Sequence, residues 1–247
     1  MMSNADSKTL CWIRRVLPTL CGLFVACSIA ATTGWADSET GVVTPLPYTQ
    51  LETELAGQID FETLQVLPEP GASFDKILLA PGVRMGERLT GQRVHAVNGH
   101  DTLTGSPRVP IDVVTGEDRE TVAIAYHAGF GSNAAFPLGP DGFDARSGRG
   151  EGSLALVFEQ AITRFALKLH ADYDDPLGSR PAPGPVTLGF FDNTGAQIGG
   201  VTVIPHHGVN EYGFRLSLPA TALTITNRDP GGIAIDDILY PLDKFAS

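Results

Sequence analysis

This sequence predicts an all-β fold: a single antiparallel jelly-roll β-sandwich domain. Three observations carry the prediction. Short apolar runs recur at fairly regular intervals, separated by clusters drawn from 28 Gly and 18 Pro, the residues that punctuate strands at turns. No window of helical length keeps an i, i+3, i+4 apolar stripe free of Gly or Pro. The run Arg164-Phe165-Ala166-Leu167-Lys168-Leu169-His170 alternates, with Phe165, Leu167 and Leu169 on one side and Arg164, Lys168 and His170 on the other. A period of two with one wet face is the pattern of an antiparallel sheet.

Residues 1–36 read as a secretory signal peptide. Lys8, Arg14 and Arg15 make a basic start, Val16 to Ala31 is largely apolar, and Gly34-Trp35-Ala36 offers small residues where a signal peptidase cuts. Two other export routes are written in the same residues: a twin-arginine signal at Arg14-Arg15, and a lipoprotein box at Phe24-Val25-Ala26-Cys27 with the lipid on Cys27. Ile13 and Phe24 depart from those patterns, so the expectation is ordinary export to a secreted or periplasmic location. All three cysteines (Cys11, Cys21, Cys27) and both tryptophans lie in this segment. The mature chain then has no disulfide option, and a chain of about 200 residues must be held by an apolar core.

Residues 37–56, with Pro45 and Pro47, are expected to be a loosely packed, flexible leader. The sandwich then occupies 57–241, with 242–247 as a short tail. Strands are expected at 58–63, 93–97, 111–114, 121–127, 153–159, 164–171, 186–191, 197–204, 212–217, 222–227 and 233–240. Ser73 to Leu79 is expected to form at most a helical turn. Phe191-Asp192-Asn193-Thr194-Gly195-Ala196 reads as a hairpin turn, because Asn and Gly tolerate positive φ, and Asn227-Arg228-Asp229-Pro230-Gly231-Gly232 as a second turn. Gly129 to Gly152 reads as a long connection pinned to the surface by Phe130, Phe136 and Phe143, the alternative being one wall of a ligand site.

The net charge is −11, and the signal takes with it more basic than acidic residues. Nucleic acid and an anionic membrane surface are therefore poor partners. No apolar segment of the mature chain is long enough for a transmembrane anchor.

Two acidic pairs stand at the ends of the domain. In the last strand, Asp236 and Asp237 interrupt an apolar run. Strand alternation puts Ile233, Ile235, Asp237 and Leu239 on one side, and Ala234, Asp236, Ile238 and Tyr240 on the other. Whichever face is buried takes one carboxylate with it, and a buried carboxylate needs a partner. Near the start, Ile59-Asp60-Phe61-Glu62 places Asp60 and Glu62 two apart on one strand face. If the two strands meet, Asp60, Glu62, Asp236 and Asp237 form a candidate metal site whose oxygen donors suit calcium in a structural role. Alternatively Asp60 or Asp237 caps a turn or pairs with an Arg.

The segments IDFETL (59–64), GEGSLALVFEQAITRFALKL (150–169), LGFFDNTGAQIGG (188–200) and GGIAIDDILY (231–240) resemble secreted bacterial jelly-roll modules, including those associated with PEP-CTERM sorting tails. The first and last segments are also similar to the ends of MAM adhesion domains. The resemblance implies an ion held between an acid of the first strand and an Asp of the last, here Asp60 or Glu62 with Asp236 or Asp237. It does not imply disulfide-dependent adhesion or sorting by a tail, since the mature chain has neither the cysteines nor the tail.

The remaining motifs are weaker. His170-Ala171-Asp172-Tyr173-Asp174-Asp175 lacks the Gly and Glu of an EF-hand and reads as a solvated loop. His206-His207, and His95 with His100, lack a third ligand at zinc spacing. There is no G-x-S-x-G, and no residue is assigned to catalysis or to an organic cofactor. The mature chain has no Trp for stacking on sugars, only tyrosines such as Tyr126, Tyr173 and Tyr212. The expected function is a secreted, non-catalytic binding or surface-structural module, with an extracellular glycan or a cell-surface component as partner. The alternative is a carbohydrate-active enzyme of jelly-roll fold that uses paired carboxylates.

Overall fold

The computed structural model describes residues 41–171 and 181–242. The expected signal, with Cys27, and the acidic run from Asp172 to Asp175 lie outside the described residues. In chain order the elements are β1 (Val43–Leu46), α1 (Tyr48–Glu54), β2 (Gly57–Ile59), β3 (Ala72–Phe74), β4 (Leu78–Ala80), β5 (Val83–Gly86), β6 (Arg88–Leu89), β7 (Arg93–Val97), β8 (His100–Thr104) and β9 (Val113–Val114). They continue with β10 (Val122–His127), β11 (Ser132–Pro137), a 3-10 turn at Arg146–Gly148, β12 (Leu154–Ala171), β13 (Val186–Phe191), β14 (Gln197–Val203), β15 (Gly208–Asn227) and β16 (Ala234–Tyr240). Every ladder between named strands is antiparallel. The fold is therefore the antiparallel all-β class that the alternation predicts. The jelly-roll connectivity remains an expectation.

β12 and β15 organise the rest. They pair with each other along almost their whole length, from Leu154↔Ile225 to Ala171↔Gly208. The register breaks between Val157 and Arg164, where Glu159, Gln160 and Ala161 are exposed. On one side of that break β12 pairs with β5, and on the other with β16. Leu154, Leu156 and Phe158 from the first half and Phe165, Leu167 and Leu169 from the second share one core with Val186, Leu188, Phe190, Leu223, Ile225 and Ile235. The strands expected at 153–159 and 164–171 are thus one strand with a break, as are those expected at 212–217 and 222–227.

The face of β12 opposite that core is not wet. His170 is buried and Lys168 half-buried. Two coverings account for this. Helix α1 lays Tyr48 and Leu51 on Ala166 and Leu239. The 129–152 segment lays Phe130, Phe136 and Phe143 on Ala123, Ala125, Ala134 and Ala234. The expected leader is therefore part of the fold from Val43 onwards: β1 pairs with Leu216 to Gly213 of β15, and Leu51 is fully buried. A helix of 7 residues behind Pro47 is too short for a periodicity test, and its apolar face only has meaning once Ala166 and Leu239 are beneath it. Ser73 to Leu79 is not a helical turn; its ends are drawn into β3 and β4, which pair with β10 and β5.

Candidate functional site

The two acidic ends do meet. β2 pairs with β16 through Ile59↔Ile238 and Gly57↔Tyr240. The alternation drawn from the sequence fails midway, however. The β12 register runs Leu169↔Ile235, Lys168↔Asp236, then Ala166↔Leu239, so β16 carries one extra residue. Asp237, at φ +46°, is that bulge. It leaves Ile235 and then Ile238 and Tyr240 facing the core, and Leu239 facing helix α1. A bulge that re-aims the residues after it is a common device at functional rims.

The four acids therefore have different roles. Asp60 is not on a strand face with Glu62: β2 ends at Ile59, Phe61 takes φ +57°, and Asp60 Oδ1 accepts the Glu62 backbone N–H at 3.1 Å. Asp237 accepts from Lys168 Nζ at 2.8 Å and from Gln58 Nε2 at 2.8 Å. Glu62 Oε1 accepts the Asn133 backbone N–H at 2.6 Å. Asp236, 1% exposed, accepts from Ser132 Oγ at 2.6 Å and from the Asp237 N–H at 2.7 Å. Burial pushes the Asp236 carboxyl up to about 7, and the negative charges of Asp237 and Glu62 add to the rise. Glu62 and Asp236 are thus held by the neighbouring residues Asn133 and Ser132, while Asp60 caps a turn and Asp237 pairs with Lys168. The fully buried Asn133 Oδ1 has no hydrogen-bond partner among the described residues, while its amide nitrogen reaches the Phe61 and Leu64 carbonyls. Two carboxylates and an unsatisfied amide oxygen are the donor chemistry a hard cation takes. Among the described residues no three His, Cys, Asp or Glu side chains converge on one point, so carbonyls, the hydroxyl and water would have to complete a shell there.

The larger recesses flank the β7–β8 hairpin, which Arg228 pins through Val97 O and Thr102 Oγ1. On one side lies a cleft of about 500 Å³ lined by Glu87, Asp101, Glu117 and Glu120 with Arg88, Arg93 and His95. Glu87 and Asp101 are buried. Burial pushes Glu87 up to about 7, against the pull of its partner Arg88, and pushes Asp101 up to about 6.

On the other side lies a groove of about 320 Å³ lined by Thr102, Thr104, Thr187, Gln197, Thr224 and Thr226 among others. The registers Thr187↔Thr202 and Thr187↔Thr226 set three hydroxyls in a row across β14, β13 and β15. The next row in that direction is Gly200, Gly189 and Thr224. The two glycines side by side make room for the Gln197 side chain: a Cβ on Gly200 would meet Gln197 Nε2 at 3.2 Å, and one on Gly189 would meet it at 3.5 Å and Thr224 Oγ1 at 3.2 Å.

A further cluster had no signal in the sequence, because its members come from three separate segments. His127 Nδ1 lies 2.6 Å from Glu69 Oε1, and His127 Nε2 lies 3.0 Å from His170 Nδ1. Both rings are buried against Phe130, and Gly129 makes room for them, since a Cβ there would sit 2.6 Å from the His170 ring. Of the other histidines, His95, His206 and His207 are exposed; His100 is fastened to Asn98 O and Asp229 O.

Comparison of the chain with family models, with curated proteins and with solved structures finds no match.

Proposed function

We propose that the chain is a secreted, non-catalytic binding module of jelly-roll type that takes a neutral glycan in the threonine groove, with its terminal strands fastened by calcium at Glu62 and Asp236. The observation that carries the glycan reading is the polar, uncharged lining of that groove: Thr102, Thr104, Thr187, Thr224 and Thr226 with the Gln197 amide. Hydroxyls and amides in a shallow, uncharged channel match the donor and acceptor pattern of sugar hydroxyls. Calcium is supported by the pairing of β2 with β16 and by the unsatisfied Asn133 Oδ1 beside them.

The enzyme reading is favoured by a different observation, the buried Glu87 and Asp101 in the acidic cleft with Glu120 on its wall. A carboxyl that stays protonated near neutrality can serve as a general acid opposite an ionised carboxylate. Glu87 would take the first role.

One set of measurements separates the readings. The mature protein, residues 37–247, is screened on neutral oligosaccharides with calcium and with EDTA, and the products are assayed for new reducing ends. The binding module retains a glycan, and Thr187→Val with Thr226→Val weakens retention at least about tenfold while Glu87→Gln leaves it unchanged. The enzyme releases reducing ends and loses that activity in Glu87→Gln. Retention of no glycan sinks the binding reading; absence of release sinks the enzyme. Calcium raises the melting temperature by several degrees if the ion site is real, since a ligand at a hundredfold excess over its Kd adds about 2.7 kcal/mol.

A further inference from the structure

The acidic cleft beside the β7–β8 hairpin is the largest of the recesses described, at about 500 Å³, and it lies across the hairpin from the threonine groove. We infer that it binds a linear polyamine: one ammonium group sits among Glu87, Asp101 and Glu120, and the methylene chain lies along Val94, Ala96, Leu138 and Pro140.

The floor of the cleft holds an acceptor that the fold leaves unused. Glu87 and Asp101 are 4% and 3% exposed. Asp101 is held by Ser153, whose backbone N–H donates to Oδ2 at 3.1 Å. Glu87 takes Arg88 on Oε2, and its Oε1 accepts no hydrogen bond from the described residues. That oxygen is not sealed in: the sealed, unpartnered side-chain atoms among the described residues are Asn133 Oδ1 and Glu151 Oε2. Glu87 Oε1 therefore opens into the cleft that Glu87 lines. Gly116 keeps it uncovered, since a Cβ there would stand 2.8 Å from it. A buried carboxylate oxygen without a donor is costly until a ligand or water meets it.

The charges are sorted in favour of a cation. Cross-strand partners in the hairpin share a face. Arg93 and His95 point the same way as their partners Thr104 and Thr102, which line the threonine groove. Val94 and Ala96 point the other way with Leu103 and Asp101. Arg93 and His95, both exposed, thus stand on the rim of the cleft and not over its acids. Arg88 is tied to Glu87 and, at 3.0 Å, to Thr115 O. Four carboxylates, Glu87, Asp101, Glu117 and Glu120, share the cleft with that one committed cation.

The spacing and the walls narrow the choice. Among the described residues no three acidic or imidazole groups converge closely enough for one metal ion. An ammonium group reaches further: its three donors meet carboxylates at about 2.7–2.9 Å, against about 2.4 Å for calcium. The apolar wall suits methylenes better than the hydroxyls of an amino sugar. Glu117, exposed at the mouth, is placed for a second ammonium. Burial pushes Glu87 up to about 7 and Asp101 up to about 6; the charge of Glu120 adds to both and that of Asp101 to Glu87, while Arg88 pulls both down. An ammonium among them favours the ionised forms, so binding releases protons and tightens as pH rises from 6 to 8.

The test is calorimetric titration of the mature protein, residues 37–247, with spermidine, tetramethylammonium, glucosamine and calcium chloride. Spermidine is expected to saturate and to bind at least about tenfold more tightly than each of the others, with more protons released at pH 7 than at pH 8. Glu120→Gln, at a half-buried position where the fold tolerates the change, is expected to weaken spermidine about tenfold. Glu159→Gln, an exposed carboxylate outside the cleft, is expected to leave it unchanged, as does Thr187→Val in the groove. Failure of spermidine to saturate would overturn the proposal. So would equal binding of tetramethylammonium, glucosamine or calcium, full affinity in Glu120→Gln, or an equal loss in Glu159→Gln.

Discussion

Lys168 Nζ donates to Asp237 Oδ2 at 2.8 Å, and that bond ties the extra residue of the last strand to the ladder at the centre of the fold. Asp237 is held at its backbone too: its carbonyl accepts from Tyr48 Oη at 3.1 Å, and Lys168 Nζ lies 5.2 Å from the centre of the Tyr48 ring. Helix, central strand and bulge thus converge on one residue, whose positive φ is a conformation that Asp and Asn tolerate better than other side chains.

Asp237→Ala removes both the ion pair and the side chain suited to a positive φ. It is expected to destabilise the protein by about 2 kcal/mol, the sum of about 1 from a half-buried pair and about 1 from the left-handed backbone. Asp237→Asn keeps the backbone preference and loses only the charge, so its cost is about half. Urea denaturation midpoints for the two variants check this. An alanine variant as stable as the parent would show that neither contribution exists.

Stability is expected to fall as pH rises from 5.5 to about 8.5 in EDTA. Burial raises Asp101 to about 6, Glu87 to about 7 and Glu151 to about 8, all above their values in an unfolded chain. The folded state then binds more protons than the unfolded one, and ∂ΔG/∂pH is negative across that window. Their contribution is complete below the ordinary carboxylate range and lost as pH passes through each raised value. Glu151 is 5% exposed and its Oε2 has no hydrogen-bond partner among the described residues. Glu151→Gln, which keeps the shape without the charge, should gain at least about 1 kcal/mol at pH 8.5 and flatten the upper end of the profile. Chemical denaturation at stepped pH measures it; a rising profile contradicts the assignment.

Leu51→Ala is expected to cost about 2–5 kcal/mol, the range for emptying a fully buried leucine site, whereas Glu52→Ala on the exposed side of the same helix should change stability by no more than about 0.5 kcal/mol. Thermal unfolding of both variants tells a packed helix from a loose leader. Equal, negligible effects would return residues 48–54 to the leader.

The sequence by itself determined the class of fold and most of its strands. Period-two alternation from Phe165 to Leu169, turn residues at Asp192 to Gly195, and apolar runs such as Val186 to Phe191 act locally, through side-chain direction and backbone preference, and local physics is legible one segment at a time. It also pointed to a pairing of the segment near residue 60 with the last strand, which Ile59↔Ile238 makes, although the acids Asp60 and Glu62 lie just beyond that strand. Tertiary structure decided everything that depends on what lies across a ladder. The extra residue at Asp237 exists only relative to the β12 register, so strict alternation misassigned Asp237, Ile238, Leu239 and Tyr240. The short helix at Tyr48 is stabilised by the surface it covers rather than by its own periodicity. His170, read as wet, is buried because segments 40 residues away in the chain fold over it, and Glu69, His127 and His170 form a hydrogen-bonded chain that no spacing announces. The same holds for the threonine row, where Thr187, Thr202 and Thr226 become neighbours only through strand pairing. Alternation fixes which face a residue takes within a strand; only the register between strands fixes which residues share a site.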